Sequence, residues 1–255
     1  MKTKIKSTAV SAFSFLALIS IPEESKAASI SLGLARSFTI LGATTVTNTG
    51  PSMIAGNLGS SPGISITGFP PGIILGTVHQ NDSFAAQAQV DASLAYDQLA
   101  AASQTQDLTG MNLGGLTLFP GVYFFDSIAL LTGLLTLDSG NDPDAQFIFQ
   151  IGTAFTTESD SQIMGINGAI SDQIYFQVGS STTLGTNSAL MGTIISNTSS
   201  TLTTGATIDG RVISLNGAVT LDSNTTSIPE PSTLLLGVIA AISAFSRRSR
   251  CSRGQ

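Results

Sequence analysis

Between Thr182 and Leu221 the sequence copies itself. Thr183-Leu184 recurs at Thr201-Leu202 and Ile195-Ser196 at Ile213-Ser214, each 18 residues later, and Thr220-Leu221 follows after 19. The runs between these points are short and rich in β-branched residues, they are broken by Gly and Asn, and they lack helical spacing. One such repeat cannot bury an apolar face by itself, whereas stacked coils can. The pattern therefore predicts a β-solenoid in which equivalent side chains form ladders spaced about 4.8 Å apart. Thr is β-branched and able to hydrogen-bond its neighbour, so it suits an exposed ladder. A twisted β-sandwich with accidental similarity is the alternative.

Outside this block the strand signals continue. Phe38 to Leu41, Thr44 to Thr49 and Met53 to Gly59 read as three strands of one coil. Ser61-Pro62-Gly63 and Gly68-Phe69-Pro70-Pro71-Gly72 are rigid turns leading out of it. Further strands are expected at Leu108–Leu118, Gly121–Phe125, Leu130–Leu137, Phe147–Ile151, Ala154–Thr157, Ile163–Ile166 and Ile174–Val178. Phe147 to Gly152 and Ile174 to Gly179 echo each other 27 residues apart, which implies a loop or corner insertion. One segment breaks the pattern. Residues 82–102 place Phe84, Ala85, Ala88, Leu94, Ala95, Leu99 and Ala102 near helical spacing behind a capping Asp82 or Ser83, so a helix with an Ala-rich face is expected to lie along the solenoid. His79 stands alone and reads as structural, and Asn141-Asp142-Pro143-Asp144 as a solvated turn rather than a Ca²⁺ loop.

The two ends carry different signals. Residues 1–27 join Lys2, Lys4 and Lys6 to an apolar run from Ala9 to Ile21 and a small-residue site, the form of a secretory signal cut after Ala27 or Ala28. Residues 228–255 hold Pro229-Glu230-Pro231, an apolar run from Leu234 to Phe245 and an Arg cluster. This tail resembles the PEP-CTERM sorting signal of Gram-negative bacteria and cyanobacteria. The resemblance implies recognition by an exosortase-type enzyme, only transient membrane contact, and delivery to the cell surface, outer envelope or extracellular matrix. Residues 28–227 then form the mature domain, with two Arg and no Lys against thirteen acidic residues. Such a balance argues against a nucleic-acid partner. The sole cysteine, Cys251, lies in the tail, so no disulfide supports the domain.

Taken together, Phe38-Thr39-Ile40-Leu41, Thr47-Asn48-Thr49-Gly50-Pro51, Gly56-Asn57-Leu58-Gly59, Thr67-Gly68-Phe69-Pro70-Pro71-Gly72, Pro120-Gly121-Val122-Tyr123 and Thr203 to Arg211 resemble the β-solenoid ice-binding protein family of bacteria, fungi and algae. The resemblance runs from about Ser31 to Thr226. It implies an all-β fold with one long helix: an irregular right-handed β-helix of triangular section, the helix packed alongside, and a first coil separated in sequence from the coils it stacks on. It also implies a flat face that adsorbs to ice or ordered water through Thr-(Ala or Gly)-x-(Thr or Asn) steps. Such steps occur at Thr109-Gly110-Met111-Asn112, Thr153-Ala154-Phe155-Thr156 and Thr204-Gly205-Ala206-Thr207. The candidate ice-binding residues are thus Thr153, Thr156, Thr186, Thr204 and Thr207, with Thr186 as the ladder partner of Thr204. Ala189 occupies the rung matching Thr207, and Met191, Asp209 and Arg211 would interrupt the array if they shared its face. No enzyme, metal or other cofactor is expected, because no recurring strand position pairs carboxylates and a single His has no partner ligands. The competing role is a matrix or adhesion protein that uses the same scaffold to bind polysaccharide or cells.

Overall fold

The computed structural model describes residues 30–228. The expected secretory signal and the Pro229-Glu230-Pro231 tail lie outside them. Successive strands wind into coils, and every strand pairs in parallel with its counterpart in the next coil. Three faces result, as a triangular section requires.

The first face stacks Gln106–Asp107, Gly121–Phe125, Phe147–Ile151 and Ile174–Val178, then residues 193–196 and 211–214, then Phe38–Gly42, Asn57–Ser60 and Val78–Gln80. The second is a seven-stranded sheet of Ala129–Leu131, Phe155–Thr157, Thr182–Leu184, Ser200–Leu202, Val219–Asp222, Thr45–Thr49 and Ser65–Thr67. The third contains Thr117–Leu118, Leu134–Asp138, Gln162–Ile166, the first halves of Ala189–Ser196 and Thr207–Ser214, Thr225–Ser227, Met53–Ala55 and Ile73–Ile74. The N-terminal coil stacks on the C-terminal one: Ile40 pairs with Val212, Thr47 with Thr220 and Ile54 with Thr226. The expected separation of the first coil from its neighbours in sequence is therefore present.

Inside, the coils are held by ladders of like side chains. Tyr123, Phe149 and Phe176 stack with ring centroids 5.5 and 4.6 Å apart, and Phe155 stacks on Phe176 at 4.9 Å. Ile194, Val212, Ile40 and Leu58 continue the same inward row. Nearby, the buried hydroxyls of Thr182, Ser196, Ser200 and Ser214 satisfy one another at 2.7–3.1 Å, as the dry interior demands.

The helix forms at Ser83–Ala100. Asp82 caps it by accepting from the Ala85 amide at 2.8 Å. Ala85, Ala88, Ala92, Ala95 and Leu99 recur at helical spacing and are fully buried against the outward side chains Val122, Ile148, Tyr175, Ile195, Ile213 and Leu41 of the first face. Small alanines let the helix approach closely. At its C-terminal end the buried Gln150 side chain donates to the carbonyls of Leu99 and Ala102 at 2.7 and 2.8 Å, which ties the helix end and the residues just past it to the first face. His79 is structural: it pairs with Asp82 at 2.7 Å and stacks on Phe84 at 4.6 Å.

Three strand expectations need correction. Leu130–Leu137 is two strands, Ala129–Leu131 and Leu134–Asp138, because Gly133 at φ 83° turns the corner between faces. Leu108–Leu118 is mostly turns, with strand at Thr117–Leu118 and a single bridge at Asn112, since Gly110 and Gly115 both take positive φ. The run from Met53 to Gly59 likewise divides, Asn57–Ser60 opening the next coil. The expected corner insertion exists. Residues 139–146 and 167–173 join the third face to the first in the long coils, where Gly192 and Gly210 make the same turn in the short ones.

Candidate functional site

The three faces differ in what they offer to solvent. The first is covered by the helix. The third is uneven: its outward column reads Ile73, Met53, Thr225, Thr207, Ala189, Gln162 and Leu134 from rung to rung. Beside that column stand Asp209, Met191 and Met164.

The second face is regular. Its strands turn a residue outward between inward-pointing neighbours, or at the strand end beside the inward Ile66 in Ser65–Thr67, and these residues lie in register as Leu130, Thr156, Thr183, Thr201, Thr220, Thr47 and Thr67. Six threonines thus occupy consecutive rungs. Asn112 adds a further rung beyond Leu130 through its bridge. Two positions earlier in each strand or its approach stand Ile128, Ala154, Ser181, Ser199, Ala218, Thr45 and Ser65, most of them small, which alternation sends to the same side. No charged side chain enters the central column. The residues beneath it, among them Phe155, Leu184, Leu202, Val219 and Leu221, are fully buried and fix the strands from below.

β-Branching restricts χ1, so each threonine presents its methyl and hydroxyl in a limited set of orientations. Ladder neighbours hold one another loosely: the Thr47 and Thr220 hydroxyls are 3.5 Å apart. The outward groups therefore remain available to water. The rim carries the face's charge, at Glu158 and at Asp222, whose carboxylate accepts from the Thr204 hydroxyl.

The sequence-predicted residues are distributed differently from expectation. Thr156 lies in the ladder. Thr153 sits three residues ahead of it at the corner, its amide bonded to the Ser127 carbonyl. Thr186 and Thr204 occupy the turn leaving the threonine face, and the Thr186 hydroxyl meets Thr203 at 3.4 Å. Thr207 stands on the third face between Ala189 and Thr225. The four-residue step at Thr204–Thr207 therefore spans a corner rather than a face. Thr183, Thr201, Thr220, Thr47 and Thr67 belong to no Thr-(Ala or Gly)-x-(Thr or Asn) step, although Thr183, Thr201 and Thr220 are the positions at which the internal repeat is most visible.

The feared interruptions are also elsewhere. Met191 and Asp209 lie on the third face, and Arg211 is turned outward on the first, where it is 1 % exposed. There its guanidinium donates to Asp172 at 2.7 Å and to the Arg36 carbonyl at 2.8 Å, and Arg36 reaches the second oxygen of Asp172 at 2.8 Å. Burial alone would raise the Asp172 pKa, but hydrogen bonds and charge from Arg211 and then Arg36 outweigh it and hold the carboxyl below the usual aspartate value. This cluster ties the Gly33–Ser37 turn and the Ser171–Gln173 turn to the coil.

Comparison with known proteins agrees with this architecture. The ice-binding-like family model matches residues 40–227. An ice-binding protein of Nostoc sp. (strain HG1) is 51% identical over 253 residues, covering 92% of this chain and 94% of the relative. One from Flavobacterium frigoris is 32% identical, covering 79% and 77%. Among solved structures, an ice binding protein from an Antarctic biological consortium superposes with a TM-score of 0.77 at 43% identity, covering 79% of this chain and 92% of the other. That of Antarctomyces psychrotrophicus gives 0.76 at 42%, covering 80% and 100%. The sequence match over most of both chains and the shared solenoid place this chain in the ice-binding-like family.

Proposed function

We propose that this protein binds ice through its threonine face and so restrains ice growth and recrystallisation. One observation carries the reading: six threonines lie in register in a column that holds no charged side chain, on a face that the helix, packed on the first face, leaves open among the described residues. Hydroxyls anchor waters while methyls shape the spaces between them, and a regular array of both orders a water layer that merges with the ice surface. Each contact is weak. The face is already rigid, so many contacts form together with little loss of conformational freedom. No bond is made or broken in this function, and it requires neither a catalytic group nor a cofactor.

Export fits the same reading, with residues 1–27 as the secretory signal and the Pro229-Glu230-Pro231 tail as a substrate for an exosortase-type enzyme. The competing role of a polysaccharide-binding matrix protein is less well supported, because sugar binding favours aromatic platforms and the outward column of this face has none. The test is thermal hysteresis and recrystallisation on the purified chain, with crystal shape observed during growth. Faceted or arrested crystals are expected. Round, freely growing crystals from folded protein would refute the proposal.

A further inference from the structure

A cavity of about 800 Å³ opens where the C-terminal end of the helix, the strands Gly121–Phe125 and Phe147–Ile151 and the corner insertion at 139–146 meet. Its walls are pinned from several sides. Gln150 holds the helix end, the Thr105 hydroxyl exchanges hydrogen bonds with the amide and carbonyl of Val122 at 2.8 and 2.9 Å, and the Gln146 carbonyl accepts from the Gly121 amide at 2.9 Å. Ala102, Val122 and Ile148 give it an apolar side. A cavity of this volume with fixed walls suits a small molecule. Its polar side is negative: Asp142 and Asp144 line it, and no basic side chain does so among the described residues. The helix ends beside it without a basic residue in its last turn, so nothing within the helix offsets the partial negative charge of that terminus. Gln146, also in the lining, has a buried side-chain oxygen with no hydrogen-bond partner among the described residues, and a buried acceptor ordinarily meets a donor.

We infer that this cavity binds a small organic cation, a protonated amine with an apolar body. The ammonium donates to Gln146 Oε1 and to the Asp142 carboxylate, and the hydrocarbon part lies on Ala102, Val122 and Ile148. A bare divalent cation is less well suited, because it needs more oxygen ligands than two carboxylates supply and Asp142 Oδ1 already accepts from the Asp144 amide at 2.9 Å. None of the lining residues belongs to the threonine face. Amine and ice then use separate parts of the molecule, and either binds without the other.

The test titrates phenethylammonium chloride into the isotope-labelled protein and follows amide shifts by NMR. Saturable shifts are expected at Ser103, Thr105 and Gln146, while Thr183, Thr201 and Thr220 stay in place. Phenethyl alcohol keeps the apolar body and a donor but carries no charge, and should bind about fivefold more weakly. Asp142→Asn keeps an oxygen to accept from the Asp144 amide and should weaken phenethylammonium by a similar factor. Ser103→Trp, an exposed substitution at the cavity, should block binding in a chain that remains folded and still shapes ice as the unmodified chain does. Equal affinity for the alcohol, or undiminished affinity in Asp142→Asn, overturns the cation assignment. Undiminished affinity in Ser103→Trp places the ligand elsewhere and overturns the site. The absence of saturable shifts at these amides up to about 10 mM, in folded protein, overturns binding altogether.

Discussion

Replacing Thr201 by Tyr probes the ladder at its centre, where Thr201 lies between Thr183 and Thr220. A tyrosine ring stands about 4 Å proud of a threonine side chain, more than the ~2.8 Å of a hydroxyl–water contact. Rungs are about 4.8 Å apart, so the ring holds an ice surface off Thr183 and Thr220 as well as its own position. Three of six rungs are then lost. At about 1 kcal/mol of net contribution each, the deficit is about 3 kcal/mol, or roughly two orders of magnitude in the concentration needed for a given effect. The fold should scarcely notice. Aromatic residues suit strands, and an outward substitution changes stability by about 0.5 kcal/mol or less, which in a domain of this size moves Tm by about 1–2 °C. Thermal hysteresis against concentration, paired with thermal unfolding followed by circular dichroism, separates the two effects. Thr207→Tyr is the matched control: the same change on the third face should leave activity intact. Full activity in Thr201→Tyr, or loss in a folded Thr207→Tyr, would refute the assignment of the face.

Asp172→Asn strips the buried Arg211 of its counter-charge and should cost about 3 kcal/mol in urea unfolding. Because the folded pKa of Asp172 is depressed, its contribution is complete above the ordinary aspartate pKa of about 3.9 and disappears as pH falls through the lower folded value, and the Asn variant should lack that part of the acid dependence. Phe176→Ala removes the ring that stacks on both Phe149 and Phe155 and should destabilise by about 3–5 kcal/mol, read in the same unfolding experiment. Gly210→Ala forces a side chain into a φ of 148° and against the Gly192 carbonyl; about 1–3 kcal/mol of stability should be lost, while ice shaping persists at temperatures where the variant remains folded.

The solenoid was legible because its repeat is a matter of spacing, and spacing survives in sequence. The helix was legible for a similar reason: Ala85, Ala88, Ala95 and Leu99 fall at helical intervals and are buried, although Leu94, expected on the same side, is 56% exposed and Ala92 faces the solenoid in its place. The site was harder to read. A four-residue step such as Thr204 to Thr207 has the right composition, but the chain turns a corner within it at Gly205, whose φ is 75°. Where corners fall depends on which residues point inward, and that is decided by packing across the whole section. The ladder also crosses from the C-terminal coils to the N-terminal one at Thr220 and Thr47, residues 173 positions apart in sequence. No local motif contains that contact. Arg211 misled for the converse reason: a charged residue in a strand reads as exposed, yet here Asp172 and the Arg36 carbonyl, both remote in sequence, make its burial possible.

Threonine is common on exposed strands for reasons of propensity alone, so a threonine-rich face does not by itself imply a function. The third face supplies an internal control. It is built by the same coils, with the same rise and parallel pairing, and its outward column is also open to solvent in part, with Ile73, Met53 and Leu134 all at least 40% exposed. If propensity governed composition, the two columns should resemble each other. Instead one runs Ile, Met, Thr, Thr, Ala, Gln, Leu, while the other holds threonine at six successive rungs. A scaffold that tolerates Met, Gln and Ala at one set of outward positions does not need threonine for its own stability at the other. The regularity answers to something outside the protein whose surface is itself periodic, and a crystalline water lattice meets that condition where a soluble glycan or a flexible partner does not.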